Sequence, residues 1–134
     1  MNVPLFLAGL LAVVAAGVHG LGGELLVLRK LWKEALPSTR FGGRAMTKAM
    51  LHVTWHIATF AFLATAVGMI LSATVLEGDS ADALGWFCAG AFTGFALIAI
   101  VLGSGKQPLR AGMRHPGPYV LAATAALAWW GAAV

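Results

Sequence analysis

The chain has 134 residues, of which 60% are hydrophobic and only 10% are charged. An average soluble domain is about 25% charged, so five acidic and nine basic side chains are too few to cover a water-soluble surface. This composition excludes a disordered chain and a nucleic-acid-binding domain, and it predicts an integral membrane protein.

Four apolar stretches follow one another along the chain, each close to the roughly 20 residues that a membrane-spanning helix needs. They cover residues 3–28, 49–76, 83–102 and 117–134. We therefore expect an all-α, polytopic membrane protein: a single transmembrane domain, residues 1–134, with four transmembrane helices in an up-down bundle. No basic residue precedes Arg29, and because a cleavable signal peptide begins with basic residues, we expect the first stretch to be retained.

The basic residues indicate the orientation of these helices. All nine lie in two loops, residues 29–48 and 103–116, whereas the loop between the second and third stretches has three acids and no base. Because basic loops remain in the cytoplasm, the sequence predicts an N-out/C-out protein of a bacterial plasma (inner) membrane. Its basic loops would then contact the lipid bilayer, and no nucleic acid is expected as a partner.

Small residues are expected to bring the helices close together, because lipid provides no hydrophobic force between them. The first stretch has small residues at helical spacing, and the third has a pair four residues apart. They are Ala8, Ala12, Ala15, Ala16, Gly23, Gly90 and Gly94. The single cysteine, Cys88, is expected to be a small buried residue.

Five polar side chains are out of place in such apolar stretches or at their edges. A rise of 1.5 Å per residue puts Glu24 and His52 about 6 Å inside the cytoplasmic boundary, and His19 and His56 about 12–14 Å inside it. His115 lies at the boundary itself, where the fourth stretch begins. Ionisable groups inside a membrane are costly and mark function by default, so a polar site is predicted in the cytoplasmic half.

These residue types indicate a metal or haem site. Imidazole and carboxylate groups are ligands of transition metals, and His52 and His56, four residues apart, share one face of a helix. We expect the metal ligands to come from His19, Glu24, His52, His56 and His115, with Zn, Fe or Cu as the ion. A haem b with His19 and His56 as its axial ligands is the alternative cofactor.

The position of Glu24 is the weak point of this prediction. His19 and Glu24 are five residues apart, about 140° around an ideal helix. They share a face only if the intervening glycines, Gly20, Gly22 and Gly23, unwind the helix or form a bulge.

Each of the five side chains also has a structural alternative. His115 could cap the fourth helix, and His52 could reach the lipid headgroups. His19 and His56 could form hydrogen bonds between helices. Glu24 could pair with one of the bases that begin the first loop.

Three short motifs carry a resemblance to a known family. They are His19-Gly-Leu-Gly-Gly-Glu24, Trp55-His56 and Arg114-His115-Pro116-Gly117. Together they resemble a family of small bacterial four-helix integral membrane proteins with His-Gly-Glu, Trp-His and His-Pro-Gly signatures. The resemblance implies a four-helix membrane fold and functional roles at the matching positions, including Trp55. It implies no reaction, because the family has no established activity.

The sequence therefore favours a small membrane protein that binds a transition metal or haem for redox chemistry, with a lipid-soluble molecule as substrate. Two alternatives stay open: transport of protons or metal ions by a homo-oligomer, and a non-catalytic assembly subunit of a membrane complex. No phosphate loop, dinucleotide fingerprint or hydrolase motif is present, so the sequence assigns no catalytic residue and leaves enzymatic activity open.

Overall fold

The computed structural model describes residues 1–103 and 115–134, and all regular structure within them is helical. Five α-helices are present in this part of the chain: α1 (Val3–Gly17), α2 (Gly23–Leu26), α3 (Gly43–Thr74), α4 (Gly78–Gly103) and α5 (Gly117–Ala133). A π-helix, Val18–Gly22, joins α1 to α2, and two short 3-10 turns, Leu28–Lys30 and Lys33–Ala35, follow α2. The predicted all-α class is confirmed.

Three helical stretches are long and apolar enough to cross a membrane: Val3–Lys30, Gly43–Thr74 and Gly78–Gly103. They correspond to the first three predicted stretches. The fourth corresponds to α5, which has 17 residues and is not among them, so the fourth crossing stays a prediction. Most of the second basic loop, residues 104–114, lies outside the described residues, with its bases Lys106, Arg110 and Arg114.

Helices α3 and α4 extend beyond their apolar stretches. Helix α3 begins at Gly43 rather than at residue 49, and α4 begins at Gly78 rather than at residue 83. Charged and polar residues form the first turns of both helices. The predicted stretches were bounded by apolar residues, so they left these turns out. Gly78 has a φ of 58°, a left-handed conformation that suits glycine, and it allows the sharp turn between the two helices.

The described chain forms two compact units. The first, here called the helical unit, contains residues 1–15 and the described part of residues 62–134, and the second, the polar unit, contains residues 16–61. The interior of the helical unit is formed largely by small side chains, with Met69 and Phe92 fully buried among them. Ala8 and Ala12 of α1 are also fully buried, which confirms the predicted packing face of the first stretch.

Asn2 links three helices of the helical unit. Its Oδ1 accepts a hydrogen bond from the Leu5 N–H at 3.1 Å, which caps the first turn of α1. Its Nδ2 donates to the Gly131 carbonyl of α5 at 2.6 Å, and its backbone N–H donates to the Ala73 carbonyl of α3 at 3.0 Å. Asn2 thus satisfies carbonyls near the ends of two helices that have no partner further along their own helix.

Glycines permit the closest helix contacts, but not at the predicted pair. A Cβ at Gly131 would lie 2.6 Å from the backbone nitrogen of Leu5, and a Cβ at Gly68 would lie 2.9 Å from Sγ of Cys88. At Gly90 and Gly94, by contrast, an added Cβ has no neighbour within 4 Å in the described part of the chain. The expectation of close packing at Gly90 and Gly94 is therefore wrong for the described helices, because that face of α4 is open.

We expect Gly131→Ala to destabilise the protein by about 1–3 kcal/mol, the usual cost of overpacking. The added methyl group would press on the backbone of Leu5, which cannot move aside as a flexible side chain can. Gly90→Ala is the matched control, since it adds the same methyl group to a helix where the space is open. Thermal unfolding of both variants in the same detergent measures the difference, and equal stabilities would contradict the packing described.

Candidate metal centre

The polar unit begins with a widened helical turn. Over Val18–Gly22 the helix is a π-helix, and the N–H of Gly23 reaches back to the carbonyl of Val18. A π-helix has hydrogen bonds from i to i+5 instead of i to i+4, so each residue turns less about the helix axis and residues five apart lie closer to the same face than in an α-helix. His19 and Glu24 thereby both contact α3, and the bulge that the sequence required is present.

Two glycines let this turn approach α3 closely. A Cβ at Gly23 would overlap the indole ring of Trp55, and a Cβ at Gly20 would lie 2.7 Å from Cγ2 of Thr59. The indole Nε1–H of Trp55 donates a hydrogen bond to the carbonyl of His19 at 2.8 Å. The tryptophan therefore packs directly on the turn and binds one of its backbone carbonyls, and the same bond gives the indole N–H an acceptor inside an apolar helix bundle.

The ring of His19 is held by two contacts with α3. It stacks on Trp55 with ring centroids 4.6 Å apart and an interplanar angle of 15°. Its Nδ1 lies 2.9 Å from Oγ1 of Thr59, with the direction of the bond set by the tautomer of the ring, and the same hydroxyl lies 3.2 Å from the Trp55 carbonyl. The interhelical hydrogen bond considered as a structural alternative for His19 is thus present.

Glu24, His52 and His56 form a close group of candidate ligands, here called the His/Glu group. Oε2 of Glu24 lies 3.6 Å from Nε2 of His52 and 3.5 Å from Nε2 of His56. One ligand atom from each residue can be chosen so that all three lie within 4.8 Å of one another. The two imidazoles are one helical turn apart on α3 and nearly perpendicular, at 79°. These three residues could hold a metal ion.

The two oxygens of Glu24 have different surroundings. Oε1 accepts a hydrogen bond from Nε of Arg29 at 3.2 Å, so the predicted pairing with a first-loop base exists. Oε2, like Nε2 of His52, is buried and has no hydrogen-bond partner among the described residues. Buried polar atoms nearly always have a partner, so two such atoms 3.6 Å apart mark a place where a bound cation would satisfy both.

The spacing of these atoms suits a small metal ion. Zinc lies about 2.0–2.2 Å from nitrogen and oxygen ligands, so tetrahedral neighbours are about 3.4 Å apart. The two distances from Glu24 Oε2 to the histidines, 3.5 and 3.6 Å, are close to that value. Arg29, bound to the other oxygen, would orient the carboxylate as partners of ligating carboxylates commonly do.

The other two predicted ligands have different surroundings. His19 lies one turn beyond the His/Glu group, beside Trp55 and Thr59. His115 belongs to the helical unit, is exposed, and accepts a hydrogen bond at Nδ1 from the N–H of Gly117, the first residue of α5. This contact is the helix-capping role considered for His115. Whether His19 and His115 bind metal stays a prediction.

Thr59 is a contributing residue that the sequence analysis missed. It holds His19, and the signal that could have identified it is its position on α3. His52, Trp55, His56 and Thr59 occur at i, i+3, i+4 and i+7, which is one face of a helix. A threonine in an apolar stretch does not by itself indicate a polar site. A threonine on the same helix face as two histidines and a tryptophan does.

The first basic loop is fastened to the start of α3. Nζ of Lys48 donates to the Leu31 carbonyl at 2.7 Å, and Nε of Arg44 donates to the Leu36 carbonyl at 3.1 Å. The hydroxyl of Thr47 donates to the Pro37 carbonyl at 2.9 Å. These bonds connect the chain after α2 to α3, and thereby fix the end of the segment that carries Glu24.

No family model, no curated protein and no solved structure matches this chain. The resemblance to a small bacterial four-helix membrane family therefore stays a prediction.

We expect Gly23→Ala to displace Trp55, because the new methyl group would occupy the position of the indole ring. Loss of the bond from Nε1 to the His19 carbonyl should lower the free energy of unfolding by about 1–3 kcal/mol, the cost of an unsatisfied buried polar group. The control is Gly22→Ala, whose Cβ meets only Cγ1 of Val18, at 3.9 Å. Chemical unfolding in detergent compares the two variants, and a Gly23→Ala protein as stable as the control would contradict this contact.

Proposed function

We propose that this chain is a multi-pass membrane protein that binds one transition-metal ion through Glu24, His52 and His56. The observation that carries the proposal is the pair of buried atoms without a hydrogen-bond partner in the described chain, Oε2 of Glu24 and Nε2 of His52. One metal ion bound between these two atoms would satisfy both of them. The third ligand, Nε2 of His56, lies 3.5 Å from the same carboxylate oxygen.

The donor set supports a metal ion over a haem. Two imidazoles and one carboxylate occur in zinc enzymes and in non-haem iron sites, and imidazole also suits copper. A haem bound by His56 would need its iron about 2 Å from Nε2, in the space beside Glu24 Oε2. A bound iron or copper ion would supply redox chemistry, and a zinc ion would supply a Lewis acid.

One observation favours a competing, non-catalytic role. Glu24 already pairs with Arg29 at 3.2 Å, so the His/Glu group could be an ionic cluster that stabilises the fold without metal. In that case Glu24 and protonated histidines would attract one another directly. Metal binding by the purified protein distinguishes a metal centre from a structural ionic cluster.

We also propose four membrane crossings with both termini outside the cytoplasm. Asn2 contacts Gly131 within the helical unit, so the start of α1 and the end of α5 lie at the same level. Two residues before Gly131, Nε1 of Trp129 donates to Oγ1 of Thr93 in α4 at 2.8 Å, so α5 runs beside a membrane-capable helix. Its 17 residues extend about 26 Å at 1.5 Å per residue, close to the thickness of a thin bilayer. The basic loops support the orientation.

We expect purified protein to bind one equivalent of Zn²⁺ or Co²⁺, and Glu24→Gln and His56→Ala each to weaken binding at least about tenfold. The amide of glutamine has the shape of the carboxylate without its charge. His115→Gln is measured beside them, because His115 is also a predicted ligand and its side chain is exposed at the start of α5. If His115→Gln weakens binding equally, the ligand set is larger than these three residues.

Isothermal titration in detergent and elemental analysis measure this affinity. A second titration at a pH about one unit below 6.5, the ordinary pKa of histidine, should show weaker binding, because imidazole must be neutral to bind a metal. Wild-type protein that binds no metal at micromolar concentration, and that Glu24→Gln destabilises, would support the structural role instead.

For the membrane topology, we expect a reporter enzyme active only outside the cytoplasm to be active when fused to either end of the chain. Fused within residues 104–114, the same reporter should be inactive, because that loop carries three bases and no acid. Activity at only one of the two ends would indicate an odd number of crossings and would exclude a membrane-spanning α5.

A further inference from the structure

A groove lies between the end of the first basic loop and the start of α3. The chain turns sharply at Gly42 and Gly43, whose φ values of 119° and 69° are positive and therefore suit glycine. Thr39 and Phe41, which precede this turn, line the groove on one side. A single face of α3 within residues 46–54 lines the other side. The groove thus has two walls, which come from different segments of the polar unit.

The walls of this groove are largely apolar. Its volume of about 620 Å³ lies within the range of about 300–1,000 Å³ that is typical of small-molecule pockets. Phe41 is 87% exposed, and Met46 and Met50 on α3 are exposed as well. The hydroxyls of Thr47 and Thr54 donate to backbone carbonyls, so both threonines present mainly carbon. Methionine side chains adapt to irregular apolar shapes, and such a groove suits a hydrocarbon chain.

The groove crosses the predicted cytoplasmic boundary of the membrane. Phe41 belongs to the first basic loop, whereas Thr54 lies six residues after Lys48, the last base of that loop. Six residues of α-helix correspond to about 9 Å, and α3 is long and apolar enough to cross a membrane. One end of the groove would therefore lie among the lipid headgroups and the other among the acyl chains, which is the order of these groups in a phospholipid.

The headgroup end of the groove is positively charged. Arg40 lies between the two loop residues that line the groove, and Arg44 lies in the first turn of α3; both are exposed. Nε of Arg44 donates to the Leu36 carbonyl at 3.1 Å, which leaves its Nη groups for another acceptor. In the described part of the chain neither arginine is paired with a carboxylate, and the sequence has no acid between Glu34 and Glu77.

We propose that this groove binds an acyl chain of an anionic phospholipid, whose phosphate is bound by Arg40 and Arg44. A guanidinium group offers parallel N–H donors that match a phosphate, and basic pockets on the cytoplasmic side of membrane proteins bind anionic headgroups. A zwitterionic lipid would fill the groove equally well, but its own cation would compete with the arginines for the phosphate. The proposal rests on the proposed membrane location and not on the metal, because none of Glu24, His52 and His56 lines the groove.

The test uses the full chain purified in detergent, and native mass spectrometry counts the lipid molecules that stay bound. The probes are dioleoyl phosphatidylglycerol and dioleoyl phosphatidylcholine, which have the same acyl chains and differ in net charge. We expect one phosphatidylglycerol per chain, bound at least about tenfold more tightly than phosphatidylcholine. Equal affinities for the two lipids would overturn the proposal. Displacement of the lipid by inorganic phosphate alone would indicate a phosphate-ion site and would also overturn it.

Arg40→Gln tests the headgroup end, and Lys30→Gln is its matched control. Each variant removes one positive charge from an exposed position of the same basic loop. Arg40→Gln should weaken phosphatidylglycerol binding at least about tenfold, whereas Lys30→Gln should bind the lipid as wild type does. A similar loss in both variants would indicate a general attraction between the loop and anionic lipid and would overturn the specific site.

Met50→Trp tests the apolar end, because the larger side chain would fill the groove. Val53→Trp is the control, since Val53 is exposed on α3 but does not line the groove. Binding should be lost in Met50→Trp and kept in Val53→Trp, and undiminished binding in Met50→Trp would overturn the proposal. Thermal unfolding without lipid shows whether both variants fold, and Arg40→Gln keeps the test decisive if Met50→Trp does not. A chain that stays in solution without detergent would overturn the membrane location, and the lipid site with it.

Discussion

The hydrogen bond from Trp55 to the carbonyl of His19 is the contact on which the polar unit depends. It requires a backbone that an indole ring can touch, which Gly23 provides, and a helical turn that leaves the His19 carbonyl accessible, which the π-helix provides. In an ordinary α-helix, a residue five positions from His19 would face about 140° away from it. The widened turn instead directs Glu24 toward α3. The carboxylate of the candidate metal centre is thus placed by a backbone feature rather than by its own contacts.

The two compact units use glycine for different purposes. In the helical unit, Gly131 and Gly68 let helices approach until a backbone or a sulfur atom occupies the place of a side chain. Such contacts replace the hydrophobic force that is missing in lipid. In the polar unit, Gly20 and Gly23 make room for the side chains of Thr59 and Trp55, which then supply hydrogen bonds. Glycine therefore serves packing in one unit and polar contacts in the other.

The sequence predicted the helical class, three membrane-capable stretches and the residues of the His/Glu group, because apolar length and misplaced polar side chains are local signals. It placed His19 level with His56, and His19 contacts Trp55 and Thr59, which lie on either side of His56 in α3. It placed Glu24 level with His52 alone, whereas Glu24 lies close to both His52 and His56. The contact of Trp55 with Gly23 joins residues 32 positions apart, and no single-sequence pattern specifies such a pairing. The closely packed glycines were likewise misassigned, because spacing alone does not show which face of α4 meets a neighbour.

The burial of Cys88 has a consequence for spectroscopy. It is the single cysteine of the chain, it is 1% exposed, and its sulfur packs against Gly68. Thiol reagents need access to the sulfur, so Cys88 should not react with them in the folded protein. The native cysteine therefore does not have to be replaced before a labelling study. A cysteine introduced at an exposed position would carry a spin label or fluorophore alone, and pairs of such labels could measure distances between the two compact units directly.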